Sequence, residues 1–153
     1  LIDEELLIGY TRVKEGLGRL DYAPWIPSTL TPAARHRKVE APVVALTDIL
    51  SGSMAEMTAM AVSELPGGCV IGERTLGATG PLMSNYAFTY SGQENTPYMT
   101  IYTSTAVMKD AKGVNHEGVG VTPDIEVFYD EAAMESGTDV QLDRAIEYIH
   151  TGR

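Results

Sequence analysis

A chain of 153 residues, 44% of them hydrophobic, is long enough to enclose one core and too short for several, so a single domain is expected. Its net charge of −10 is spread along the length rather than gathered in a tail, which argues against nucleic acid or an anionic lipid surface as partner. The single cysteine, Cys69, excludes an internal disulfide framework, the three histidines lack ligand spacing, and no apolar run reaches the roughly 18 to 20 residues that span a bilayer.

The chain starts at Leu1 without an initiator methionine or a charged-then-apolar leader, which reads as a piece of a longer protein. "ELLIGYTRVKEGLGR" reads as a hairpin strand running into a turn at Glu15 to Gly18. The proline-rich "DYAPWIPSTLTP" cannot be a continuous helix and is expected to wrap the surface, with Tyr22 and Trp25 against the body. Arg35, His36, Arg37 and Lys38 form the one basic cluster, which reads as a solvated connection.

"APVVALTD", Ala41 to Asp48, has the continuous apolar pattern of a strand covered on both faces. Ser53 to Leu65 follows as a helix apolar on nearly every side, expected to be buried, and "LPGG" stops it. "CVIGE" is a second buried strand holding Cys69, so strand, helix and strand make a βαβ unit of a layered α/β domain. "NYAFTYS" and "YMTIYTSTAVM" read as strands joined by a turn around Gly92 to Pro97, and "GVTPDIEVFYD" adds a shorter strand. The closing helix follows the capping candidates Thr138 and Asp139 and carries Leu142, Ala145, Ile146 and Ile149 at helical spacing.

At the junction of the first buried strand and helix stands "SGSMAE". Ser53 and Glu56 have the S-x-x-E spacing of a capping box, which alone would account for both. The same junction suits a nucleophile. A helix N-terminus favours negative charge, so the Met54 amide is placed to share an oxyanion formed when the Ser53 hydroxyl attacks a carbonyl. The G-x-S-x-G glycines of the α/β-hydrolase elbow are absent, with Ser51 and Ala55 in their places.

Four segments in order, "PVVALTDILSGSMAEMTAMAV", "CVIGERTLGATG", "HEGVGVTPDIEV" and "GTDVQLDRAIEYI", resemble the C-terminal-processing (tail-specific) peptidase family from about Ala41 to Ile149. The resemblance implies a ClpP/crotonase-like α/β fold and serine endopeptidase activity on peptide or protein substrates, without metal or organic cofactor. In the family's S-x-S-x-x-E motif the second serine is the nucleophile, which falls on Ser53, with the Met54 amide in the oxyanion hole. Lysine-dependent members carry their base where this chain has Ala78 in "GERTLGATG". The tricorn-like branch instead uses serine, histidine and glutamate, and "HEGVGVTPD" puts that glutamate at Glu117.

The base histidine is not apparent in the chain. His116 adjoins Glu117 in an extended segment, where neighbours point to opposite faces, and His36 and His150 read as exposed. In the tricorn-like branch the histidine lies upstream, before a PDZ domain, so this stretch is expected to be the C-terminal part of a catalytic domain and inactive by itself. "TLGATG" lacks the endings of a phosphate-binding loop and is expected to line the peptide cleft through Thr75 and Gly77. The rivals are a ligand-binding relative of the same fold and an acyl-CoA enzyme of the crotonase type. Relatives of this kind suggest the bacterial envelope or periplasm as compartment, with the cytoplasm as alternative, and oligomeric state is not legible.

Overall fold

The computed structural model describes residues 1–34, 39–81, 92–95 and 100–153 of the chain. The basic cluster at 35–38 and the "NYAFTYS" strand at 85–91 lie outside the described residues. Strand β1 (Leu6–Val13) is the centre of an antiparallel sheet, paired on one side with β2 (Ile26–Leu30) and on the other with β7 (Ala106–Asp110). The strand β2 comes from the proline-rich stretch expected to wrap the surface and not to form a continuous helix, and it is largely exposed. Pro27 is compatible with it because β2 is an edge strand, where one row of N–H groups has no ladder to complete. Tyr22 and Trp25 do sit against the body: the Arg12 guanidinium stacks over both rings, at 4.6 Å from each centroid, and the Lys109 ammonium lies 4.4 Å from the Trp25 ring.

A second sheet is parallel. Strand β3 (Val43–Thr47) pairs with β4 (Gly68–Gly72), and β4 with the two-residue β8 (Ile125–Glu126). Helix α1 (Met54–Ser63) crosses between β3 and β4, as the βαβ pattern implied. Alternation along β4 sends Val70 to one face, where it meets Ala59, Met60 and Val121, and Cys69 and Ile71 to the other. There α3 (Val140–Thr151) lies on them through Ala145 and Tyr148. The result is a helix, sheet and helix layering, a mixed α/β domain with β4 as its most enclosed strand.

Three expectations change on this frame. Among the described residues strand β3 is a sheet edge, and Leu46 on it is 43% exposed, so of the two strands β4 is the one covered on both faces. Helix α1 is not buried all round: Glu56, Ala59, Met60 and Val62 face inward while Met54 is 65% exposed. Helix α3 buries Ala145 but leaves Leu142, Ile146 and Ile149 substantially open, because the stripe that meets β4 is the one carrying Tyr148. Asp139 caps α3, accepting from the Gln141 and Leu142 amides at 3.1 and 3.0 Å.

Elsewhere, Gly92–Asn95 forms strand β5 rather than a turn, paired with β6 (Thr100–Thr103), and the expected long strand divides there into β6 and β7. A short helix α2 (Glu131–Glu135), capped by Asp130, was not anticipated. No helix among the described residues is long and apolar enough to cross a membrane.

Candidate active site

The turn from β3 into α1 separates the two serines of "SGS". Ser51 belongs to the turn itself: its hydroxyl donates to the Asp48 carboxylate at 2.8 Å and accepts from the Asp48 amide at 3.0 Å. Ser53 is exposed and stands at the N-cap of α1 with φ 56° and ψ −118°, the sole positive φ among the described non-glycine residues. That pair of angles is the first central position of a type II′ turn, which glycine ordinarily occupies, and a side chain there carries about 1–3 kcal/mol of strain. Ser53 and Glu56 form a capping box, the Ser53 side chain facing the Glu56 amide and the Glu56 carboxylate accepting from the Ser53 amide, although the Ser53 contact falls short of an ordinary hydrogen bond. The Glu56 amide donates instead to the Ser53 carbonyl, at 3.0 Å. Among the described residues nothing accepts from the Met54 amide, which opens the first turn of α1.

The backbone of Ser53 is held from behind. Its amide donates both to the Ala78 carbonyl and to Glu56 Oε2, each at 3.0 Å. Glu56 has 0% exposed surface, and its carboxylate is enclosed by donors. Oε1 accepts from the Thr75 hydroxyl at 2.6 Å and the Gly77 amide at 2.7 Å, and Oε2 also accepts from the Ala78 amide at 2.8 Å. Four hydrogen bonds to an acceptor-only group, at the positive end of α1, make burial of this carboxylate tolerable without a cation. The loop after β4 is thereby locked to the strand-to-helix elbow, and a further bond from the Leu76 amide to the Ser51 carbonyl runs alongside.

The other flank of the same loop carries Glu117. Its Oε2 accepts from the Thr79 hydroxyl at 3.0 Å and the Gly80 amide at 2.6 Å. Among the described residues nothing donates to its Oε1, and the residue is exposed. The Gly118 amide donates to the Gly77 carbonyl at 2.7 Å, and the Val121 amide to the Thr75 hydroxyl at 2.7 Å. Gly77 must be glycine for two reasons: its φ is +82°, and a Cβ would lie 2.8 Å from the amides of Val119 and Gly120. Beyond the turn, the Asp124 carboxylate accepts from the Val70 amide at 2.8 Å, which fastens the "TPD" stretch to β4.

The structure thus brings together the three segments that the sequence singled out, with residues 75–80 in the middle, Ser53 and Met54 on one side and Glu117 on the other. Thr75 is buried and its hydroxyl is engaged with Glu56 and Val121, while both backbone groups of Gly77 are taken up within the site. The side chains that the loop leaves open are those of Leu76 and Ala78. Ala78, where the resemblance would place a lysine base, is used through its backbone, which accepts from the Ser53 amide and donates to Glu56. His116 points away from Glu117, toward Asp110. What sequence reasoning missed is the reach of Glu56: its S-x-x-E spacing read as a local cap, whereas three of its four donors come about twenty residues later.

Comparison with known proteins follows the same outline. The family model of peptidase family S41 matches residues 10–127. No curated protein matches the chain. Among solved structures, a candidate peptidase from Parabacteroides merdae ATCC 43184 is 27% identical over 97% of this chain and 44% of its own, with a TM-score of 0.77. Mature CPAF complexed with lactacystin is 14% identical, over 98% of this chain and 38% of its own, with a TM-score of 0.67. A lipoprotein from Streptococcus agalactiae is 18% identical, over 98% and 46%, with a TM-score of 0.60. The latter two show a shared fold. The chain spans less than half the length of each of these structures.

Proposed function

The chain belongs to peptidase family S41, and from that premise we propose that it supplies the nucleophile and acid of a serine endopeptidase of the tricorn-like branch. Membership of the family implies peptide or protein substrates. The observation that carries the serine assignment is the conformation of Ser53: an exposed hydroxyl on a strained elbow, whose backbone is fixed by Glu56 and Ala78. Strain of this kind persists only where surrounding bonds over-determine it, and a capping role alone would not call for it.

In the proposed mechanism the Ser53 Oγ attacks the carbonyl carbon of the scissile peptide bond as a base histidine takes its proton. The oxyanion forms against the Met54 amide at the positive end of α1. The histidine then returns the proton to the leaving amine, and water repeats the cycle on the acyl-enzyme. Glu117, tied to the loop by Oε2 alone, has Oε1 available to orient that histidine and to stabilise its charged form. Among the described residues no imidazole or ammonium is bonded to Ser53; following the tricorn-like branch, the base histidine and a second oxyanion donor are proposed to come from a part of the intact protein upstream of this stretch.

Fluorophosphonate labelling of the intact protein, followed by peptide mapping, tests this. Label on Ser53, lost in Ser53→Ala, is the expected result. A folded intact protein that takes no label would overturn the serine mechanism and favour a binding role for the same fold.

A further inference from the structure

His116, set aside as the base, is nevertheless one of the best-anchored side chains of the acid segment. Its Nε2 lies 2.9 Å from the Asp110 carboxylate and its Nδ1 3.2 Å from the Gly120 carbonyl, with both side chains only 14% exposed. Both neighbours are acceptors, so the ring donates from both nitrogens when it is doubly protonated and from one when it is neutral. Asp110 in turn is fixed at the end of β7, opposite Gly9 of β1. Its other carboxylate oxygen accepts from the Val114 amide at 2.8 Å, and its amide donates to the Val114 carbonyl at 2.9 Å.

Glu117 lies inside a glycine-rich turn whose Gly120 end is packed against the Thr75 carbonyl. Gly113, Gly118 and Gly120 have φ values of +85°, +71° and +84°, and a Cβ on Gly113 or Gly118 would meet nothing within 4 Å. The turn closes on His116, whose carbonyl accepts from the Val119 and Gly120 amides at 3.0 and 2.9 Å. Its side chain therefore adds a tie between this turn and the end of β7, beside the Asp110–Val114 bonds.

We propose that His116 and Asp110 form a clasp that positions Glu117 against Thr79 and Gly80, and that they act on catalysis through Glu117 rather than on the substrate. The catalytic part of this statement rests on the peptidase reading above; the positioning part does not. Losing the clasp removes the side-chain tie nearest Glu117 and leaves the turn to its bonds with residues 75–80 and the Asp110–Val114 pair, and a carboxylate displaced by an ångström no longer aligns its partner imidazole.

The test compares His116→Leu, which fills the site without a hydrogen bond, with His116→Gln, whose amide can still reach Asp110, in the intact protein. Two readouts are taken: the fluorophosphonate labelling rate, and hydrogen exchange of the Gly80 and Gly118 amides, with the Ser53 amide as internal reference. His116→Leu is expected to slow labelling about tenfold or more and to speed Gly80 and Gly118 exchange about tenfold, with Ser53 exchange unchanged. His116→Gln is expected to restore most of both. In a Glu117→Gln background, His116→Leu should change labelling by no more than about twofold, because the two act as a unit.

Unchanged Gly80 exchange in His116→Leu, no rescue by His116→Gln, or a full additional labelling loss in the Glu117→Gln background would each overturn the clasp. A wild-type protein that takes no label, while Gly80 exchange still answers to His116, would sink the serine mechanism and leave the clasp standing.

Discussion

Ser53 and Glu117 flank the same loop and are both held by it, but their support differs. Behind Ser53 stands Glu56, a carboxylate without exposed surface that gathers donors from the elbow and from residues 75, 77 and 78. Glu117 sits on an exposed turn, reaches the loop through one oxygen, and is tied toward the sheet by its neighbour His116. Rigidity comes from buried polar closure at one end and from ties at an exposed turn at the other. The arrangement suits the roles proposed: a nucleophile must be held in a strained geometry, whereas the acid must keep one oxygen open to a partner.

The sharpest way to break that contrast is Glu56→Ala. Removal of the carboxylate strands the Thr75 hydroxyl proton and the Gly77 and Ala78 amides and leaves the Ser53 amide with the Ala78 carbonyl alone, with an expected loss of about 3–5 kcal/mol in urea unfolding. Glu56→Gln should fall short of rescue, since each oxygen accepts two hydrogen bonds and an amide would set a donor against donors. Labelling at Ser53 should vanish in both. A loss below about 1 kcal/mol in Glu56→Ala would show that the cage does not bear on the elbow.

A smaller effect of opposite sign is expected at Ser53 itself. Ser53→Gly relieves the positive φ and should raise stability by about 1 kcal/mol while abolishing labelling. Ser53→Ala keeps the strained backbone and should abolish labelling without that gain. Equal stability of the two variants, measured by urea midpoint, would argue that the elbow is relaxed. At the acid end, Glu117→Gln should change stability by no more than about 0.5 kcal/mol, as befits an exposed residue, yet lower the labelling rate about a hundredfold or more through loss of base orientation. The pairing of large stability effect at Glu56 with small effect at Glu117 is the quantitative form of the comparison.

How far the sequence alone revealed this depends on the range of the interactions involved. The βαβ unit was legible because apolar runs, the S-x-x-E spacing and the "LPGG" stop are local signals that the packing of β4 reinforces. Strand β2 was not, because the prolines exclude a continuous helix without naming what replaces it, and only the pairing with β1 shows that an edge position accommodates Pro27. Strand β5 was taken for a turn because Gly92–Asn95 has no β-favouring residue, and its pairing with β6 overrides that preference. Ser53 and Met54 were suggested by the strand-to-helix junction and singled out by a family resemblance, which alone supplied Glu117. Glu56 read as a cap and His116 as a rejected base, and in each case the partners that define its place, Gly77 and Asp110 among them, are visible only after folding.

The face of β4 away from the site offers a control on the same comparison. Burial pushes the Cys69 thiol up from its ordinary value, and the Asp124 carboxylate adds to this, while a hydrogen bond from Tyr148 opposes it. Burial likewise pushes the Tyr148 hydroxyl up, with Cys69 reinforcing the shift. Both groups are neutral when protonated, so a raised value in the folded chain means that folding disfavours their ionised forms. Their contribution to stability is complete below the unfolded value, about pH 8.5 for the thiol and about 10 for the phenol, and is lost as pH rises through the folded ones. Wild type should therefore show a falling urea midpoint above about pH 8.5, and Cys69→Ala a shallower decline over the same range. Hydrogen exchange at pH 9.5 should report loosening first where α3 lies on Ile71 and Cys69, with the Ser53 and Gly77 amides still protected by Glu56. Simultaneous loss of protection at both faces would mean that the elbow draws its rigidity from the whole sheet rather than from the buried carboxylate beneath it.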